Sequence, residues 1–210
     1  MVTSMSKPKR FSMLRSFVLA DFITLGNAVC GMGAILLCLS YVELRDRQAA
    51  WTAFALLPIA LVCDVLDGSV ARWRKRHSPL GSDLDSLADV VSFGVAPAVL
   101  GYALGLRGLG DALVLLYFVA CGISRLARFN ATADDLMTDA GKVSHFEGTP
   151  IPTSLLVVAL MAVLFWQGLV HEAMWGGRWH LAGVTFHPLS LAYFVSGSAM
   201  VSSSLKIPKP

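Results

Sequence analysis

Cys63-Asp64-Val65-Leu66-Asp67-Gly68-Ser69-Val70-Ala71-Arg72, followed by Gly81-Ser82-Asp83-Leu84-Asp85-Ser86-Leu87-Ala88-Asp89, decides the reading of this chain. Both stretches lie at the edges of long apolar blocks, Trp51–Trp73 and Asp83–Leu104. An ionised Asp near the centre of a bilayer costs about 2.5–3.5 kcal/mol on insertion scales. Four of them, Asp64, Asp67, Asp85 and Asp89, demand compensation by cations or by nearness to water.

Moving outward, the composition is that of a membrane protein. Hydrophobic residues make up 55% of the 210 positions and charged residues 15%, against roughly 25% charged in a soluble domain. A spanning helix needs about 20 mostly apolar residues. Six blocks qualify as expected spans: Phe22–Tyr41, Trp51–Trp73, Asp83–Leu104, Ala112–Ala127, Ile151–Gln167 and Leu189–Ser204. Arg10–Asp21 mixes bases with Phe, Met, Leu and Val, the pattern of a short interfacial helix. The expected fold is therefore all-α: one polytopic membrane domain over residues 1–210, with an interfacial helix at 10–21 and a six-helix bundle over 22–204. The apolar block after the basic N-terminus, Phe17–Val42, is too long for the apolar core of a cleaved signal peptide.

Charge sets the topology. The N-terminal tail, the loops near Arg74–Arg76 and Arg125–Lys142, the C-terminal tail and Arg72 hold 13 of the 17 Lys and Arg. The positive-inside rule then places both termini in the cytoplasm. The net charge of +3 is mild and not gathered on one soluble face, which argues against a nucleic-acid partner. Cys30, Cys38, Cys63 and Cys121 read as buried free thiols, since no CxxC pair occurs. Trp51, Trp166, Trp175 and Trp179 fall at span ends, where Trp anchors to the membrane interface. The five histidines have no metal-ligand spacing, and His171, His180 and His187 read as solvated outer-loop residues.

At 100° per residue, Asp67 sits about 60° from Asp64 on a helix, and Gly68 and Ala71 fall within about 40° of it. One stripe thus carries two carboxylates beside two very small residues, a recess for a flat ligand. Arg72 lies at its edge, where it can pair with phosphate. On the next span Gly81, Asp85 and Asp89 recur at i, i+4, i+8 and share a face, while Asp83 points elsewhere. The short connection makes the two helices antiparallel neighbours with both carboxylate faces at one depth. Converging carboxylates suit a hard divalent cation, Mg²⁺ or Mn²⁺. Two such ions can clamp a diphosphate for in-line displacement at phosphorus. Asp89, deepest in its stripe, is positioned to take a proton from an attacking hydroxyl. Two other readings stand beside this one: acids that merely hold helices together, and an ion or proton relay. Four acids in two matched stripes count against the first, and their clustering at one end counts against the second.

The pattern Asp64-x-x-Asp67-Gly68-x-x-Ala71-Arg72, then Gly81-x-x-x-Asp85-x-x-x-Asp89, resembles the signature of the CDP-alcohol phosphatidyltransferase family. The resemblance implies a six-helix membrane enzyme, usually a homodimer, that displaces CMP from a CDP-linked lipid with an alcohol. It implies two divalent ions held by Asp64, Asp67, Asp85 and Asp89, with Asp89 also the base. It further implies a CDP site lined by Asp64, Gly68, Ala71, Arg72 and Gly81. Further segments resemble the integral-membrane phosphatidylserine synthases of bacteria: Asp85–Pro97, Thr24-Leu-Gly-Asn27 with Cys30-Gly31, Ala127–Asn130, Phe146–Pro152 and Met200-Val-Ser202. Thr149 departs from the apolar residue usual at its place. This narrower resemblance implies CDP-diacylglycerol and L-serine as substrates, and the bacterial inner membrane as the location. Glycerol phosphate or inositol phosphate remains the alternative acceptor.

Four polar residues complete the expected site. Asn27, on the first span, is placed to donate to the diphosphate. Arg125 and Arg128, level with the carboxylates, together with Asn130, have two readings. They bind the serine carboxylate or a lipid phosphate, or the arginines anchor a span end to headgroups.

Overall fold

The computed structural model describes residues 17–74, 80–138, 145–181, 183–202 and 206–208. Helices form at all six expected positions. They are α1 (Leu19–Leu44), α2 (Arg47–Arg74), α3 (Gly81–Ala103), α4 (Leu109–Thr138), α5 (Ile151–Trp166) and α6 (Ser190–Val201). Four of them, α1 to α4, are long and apolar enough to cross a membrane. α5 ends one residue before the expected Gln167, whereas α6 is clearly shorter than expected: it has 12 residues, about 18 Å of rise against a hydrocarbon core of about 30 Å. The expected span to Ser204 is cut back because Ser202 is already extended, and the serines there favour competing side-chain bonds over helix. Residues 203 and 204 lie outside the described set.

The first span begins earlier than expected. Asp21 accepts from the Val18 N–H at 2.9 Å, closing the first turn of α1 at Leu19. The described end of the expected 10–21 helix is therefore a non-helical Phe17 and an extended Val18 followed by α1 itself. Residues 10–16 lie outside the description.

α1 and α2 form an antiparallel pair joined by Arg45 and Asp46, with Arg45 left-handed at φ 56°. This tight return brings the C-terminal end of α2 level with the N-terminal end of α1. α3 then starts at that same level and packs against α1. It approaches closely at Gly31, where an added Cβ would stand 2.7 Å from the Ser92 Cα. Only glycine fits there.

α3 is not uniform. It is α-helical over Gly81–Asp89, turns to π-helix over Val90–Val95 and returns to α over Ala96–Ala103. Pro97, near the start of the last segment, has no N–H to give to the carbonyl four residues back. The wider turn keeps the chain helical across that gap. The core on the far side of the bundle gathers Tyr41, Phe54, Phe93, Phe118, Phe165 and Tyr193. Tyr193 of α6 donates to the Pro97 carbonyl at 2.9 Å, tying α6 to α3.

Outside the helices, β2 (Trp179–Leu181) and β3 (Val184–Phe186) form an antiparallel hairpin, and β1 (His145–Glu147) pairs antiparallel with β4 (Lys206–Pro208). Gly148, at φ +77°, lies against the Met200 carbonyl where no side chain fits. Leu36, Val62, Leu116, Leu156 and Val195 are exposed on the outer surface, the surface a bilayer covers. All four expected interface tryptophans are exposed too.

Candidate active site

Three helix ends meet at one level. α2 brings Asp64 and Asp67 on its last turns, α3 brings Asp85 and Asp89 on its first, and α1 lays Thr24 and Asn27 between them. The hairpin of α1 and α2, and the short step into α3, do this without any long crossover.

Carboxylate oxygens of Asp64, Asp67 and Asp85 lie within 4.8 Å of one another. Asp67 is buried, and Asp64 and Asp85 are half-buried. Asp89 is not part of that group; it is buried slightly deeper along α3, within electrostatic reach of the other three. The fourth expected metal ligand is thus set apart from the first three.

The donor set fits a hard divalent cation. Three carboxylates face one another, and Asp85 Oδ1 is buried with no hydrogen-bond partner among the described residues. Buried polar atoms are ordinarily paired. The salt bridges among the described residues, Arg178–Glu172 and His187–Asp111, lie at the other end of the bundle.

Two donors of α1 reach the site. The Thr24 hydroxyl lies 2.5 Å from Asp67 Oδ2 and 3.1 Å from its own helix carbonyl at Ala20. Asn27 Nδ2 donates to Asp89 Oδ1 at 3.1 Å, and Ser92 donates to the Asn27 carbonyl at 2.8 Å. Asn27 is 0% exposed. Asn27, the residue expected to donate to a diphosphate, thus has an amide N–H on Asp89. The spacing of Thr24 and Asn27, one helical turn apart on an apolar span, is the signal that could have found this pair.

The remaining expected residues frame the recess. A Cβ added at Gly68 would meet only Arg72 Nη1, at 3.6 Å, so the surface beside Asp64 is open. Arg72 is exposed and stays near Ser69 of its own helix. Gly81 is the first residue of α3 and half-buried. Ala71 lies within α2, and its side chain lies outside the description. Arg125 is half-buried over the Phe129 ring at 5.4 Å, within electrostatic reach of Asp89. Arg128 is exposed. Asn130 is engaged by Ser86, with Nδ2 at 3.0 Å from the hydroxyl, which ties α4 to α3 beside Asp85.

At the opposite end, two histidines are not solvated as expected. His187 is buried, with Nδ1 2.6 Å from Asp111 Oδ2 and its backbone N–H on Asp111 Oδ1 at 2.7 Å. Asp111 also accepts from the Gly108 N–H at 2.9 Å, as a capping carboxylate does in the first turn of a helix. The Gly108-x-x-Asp111 spacing before an apolar run was the available signal. His171 Nε2 lies 2.8 Å from both the Tyr41 hydroxyl and Arg45 Nη1. Burial, and then the charges of Arg45 and Arg107, hold its imidazole below the ordinary histidine range against the pull of Glu172.

Comparison with known proteins covers nearly the whole chain. A family model described as CDP-alcohol phosphatidyltransferase matches residues 17–191. A Saccharomyces cerevisiae protein named CDP-diacylglycerol–serine O-phosphatidyltransferase is 42% identical over 98% of this chain and 75% of its own length. A Mycobacterium leprae protein of the same name is 36% identical over 84% of this chain, which spans 56% of that relative. A Methanocaldococcus jannaschii protein, again of that name, is 35% identical over 78% of this chain and 70% of its own length.

Proposed function

The chain belongs to the CDP-alcohol phosphatidyltransferase family, and on that premise we propose that it transfers a phosphatidyl group from CDP-diacylglycerol to the hydroxyl of L-serine, releasing CMP. The observation that supports this most is the convergence of Asp64, Asp67 and Asp85 within 4.8 Å, beside the buried Asp89. The serine acceptor rests on the names its relatives carry in a yeast, a mycobacterium and an archaeon.

In this reading Asp64, Asp67 and Asp85 hold two divalent ions, Mg²⁺ or Mn²⁺, with Asp89 contributing. When bound, those ions supply the positive charge that neutralises the diphosphate and the departing CMP. Asp89 accepts the proton of the serine hydroxyl as its oxygen bonds to the lipid-side phosphorus. The bond from that phosphorus to the bridging oxygen breaks, and the electron pair leaves with CMP. Gly68, Ala71 and Gly81 keep the recess shallow enough for the nucleotide to lie close to the backbone, and Arg72 faces its phosphates. Arg125, Arg128 and Asn130 border the acceptor side, with Arg125 within electrostatic reach of Asp89.

The remaining features belong to the same proposal. The chain forms one domain whose six helices all serve the membrane, the two short ones included. It works as a homodimer in a bacterial inner membrane, with both termini and the site on the cytoplasmic face. The charge bias of 13 of 17 Lys and Arg supports that orientation.

The test uses purified protein in lipid nanodiscs with CDP-diacylglycerol, Mg²⁺ or Mn²⁺, and candidate alcohols. CMP release that requires serine and stops on adding EDTA is the expected result. Release with glycerol phosphate or inositol phosphate but not serine moves the acceptor. No release with any alcohol, together with cation flux in vesicles, overturns the proposal.

A further inference from the structure

The carboxylates do not stand alone at the meeting point of α1, α2 and α3; two neutral donors of α1 reach them. Thr24 is buried, and its hydroxyl has an acceptor within its own helix, the Ala20 carbonyl at 3.1 Å. It nevertheless lies closer to Asp67, at 2.5 Å. A hydroxyl has one proton, and the shorter contact to a carboxylate is the stronger acceptor. Asn27, one turn on, gives its amide N–H to Asp89 Oδ1. Its own backbone carbonyl is held by Ser92, the residue that Gly31 allows to approach α1. α1 therefore touches one carboxylate on each neighbouring helix, and touches each at a single oxygen.

We propose that Thr24 and Asn27 are positioning residues: by occupying Asp67 Oδ2 and Asp89 Oδ1, they leave Asp67 Oδ1 and Asp89 Oδ2 to face the reacting site. Neither residue touches substrate in this scheme. Thr24 sets the rotamer of a ligand to the divalent ion, and Asn27 sets the rotamer of the base. This rests on the metal reading of the site given above. Removing such a supporting hydrogen bond typically costs 10–100-fold in metal affinity or activity.

The two halves have separate signatures. Manganese binding to the protein in nanodiscs, followed by the electron paramagnetic resonance of free Mn²⁺ without substrate, reads the Thr24 half. Thr24→Val keeps the shape and removes the hydroxyl, so the Mn²⁺ dissociation constant is expected to rise about tenfold. Thr24→Ser restores the hydroxyl and is expected to return the constant close to the unmutated value. Steady-state kinetics read the Asn27 half: Asn27→Leu is expected to lower kcat while the serine KM stays near the unmutated value, since the base acts in the transition state. Circular dichroism and a monodisperse size profile check that each variant is folded. If Thr24→Val does not fold, Thr24→Ala is measured against Thr24→Ser in the same way. Folded Thr24→Val with unmutated Mn²⁺ affinity, or Thr24→Ser as weak as Thr24→Val, overturns the Thr24 half, and Asn27→Leu with unchanged kcat overturns the Asn27 half. Unmutated protein that binds no Mn²⁺ overturns the metal reading, and this assignment with it. Mn²⁺ binding that is the same in both proteins overturns only the role of Thr24.

Discussion

Gly31→Ala tests how finely the helix spacing sets the site. The added Cβ would lie 2.7 Å from the Ser92 Cα and inside contact distance of its side chain. The obstacle is backbone, so rotamer change cannot relieve it. Carbon atoms settle at about 3.5–4.0 Å, so α1 and α3 must part by about 1 Å. Two hydrogen bonds cross that gap: Ser92 to the Asn27 carbonyl at 2.8 Å and Asn27 to Asp89 at 3.1 Å. Both would lengthen past the useful range. The stability cost is about 1–3 kcal/mol for overpacking, plus about 0.5–1.5 kcal/mol for each bond lost. The catalytic cost is larger in relative terms, because a shift of about 1 Å at a positioned group can cost about 10²-fold in rate. The assay compares serine-dependent CMP release and thermal unfolding in detergent for Gly31→Ala and Gly33→Ala. At Gly33 the new Cβ meets only the flexible end of Leu56, at 3.1 Å, so a small effect is expected there. Gly31→Ala with unmutated turnover and melting would show that α1 does not set the position of Asp89.

Three further outcomes are expected. Asp89→Asn should largely abolish turnover while weakening nucleotide binding less than Asp64→Asn does, as measured by CMP titration; near-normal turnover of Asp89→Asn would remove it as the base. Asp111→Ala strips a buried His187 and two N–H groups of their acceptor, so it should destabilise the fold by about 1–3 kcal/mol for each buried donor left unpaired, read by chemical unfolding. His171 titrates below its ordinary value when folded, so the unfolded chain binds the proton first as pH falls. Its contribution to stability is therefore complete above about pH 6.5 and lost below it. Melting should drop between pH 7 and 5, and drop less in His171→Gln.

Much of the site was legible because its logic is local. Asp64 with Asp67, and Gly81 with Asp85 and Asp89, share faces by helical arithmetic alone, and a carboxylate in an apolar block announces a cost that something must offset. The helix positions followed from apolar blocks for the same reason. The length of α6 did not, because hydropathy averages over residues whose helix ends are decided by capping and by serine side chains. The π-turn of α3 left only one trace, Pro97, and a proline is compatible with a kink, a break or a wider turn. His187 was misread because its partner, Asp111, lies far along the chain, and a polar residue in a loop looks solvated until its acceptor is in view. Asn130 and Ser86 were unreadable as a pair for the same reason.

The membrane character of this protein, its helical class and the identity of its four acids were determined by sequence alone. Each follows from periodicity and from the cost of charge in hydrocarbon, which are properties of neighbouring residues. The grouping of those acids was decided only by the tertiary structure. Asp89 stands apart from the group of three, Thr24 and Asn27 hold one oxygen each on Asp67 and Asp89, and Gly31 lets α3 come close enough for both. These are distances between helices, and an interhelical distance depends on side chains from two segments at once, which no single stretch of sequence contains.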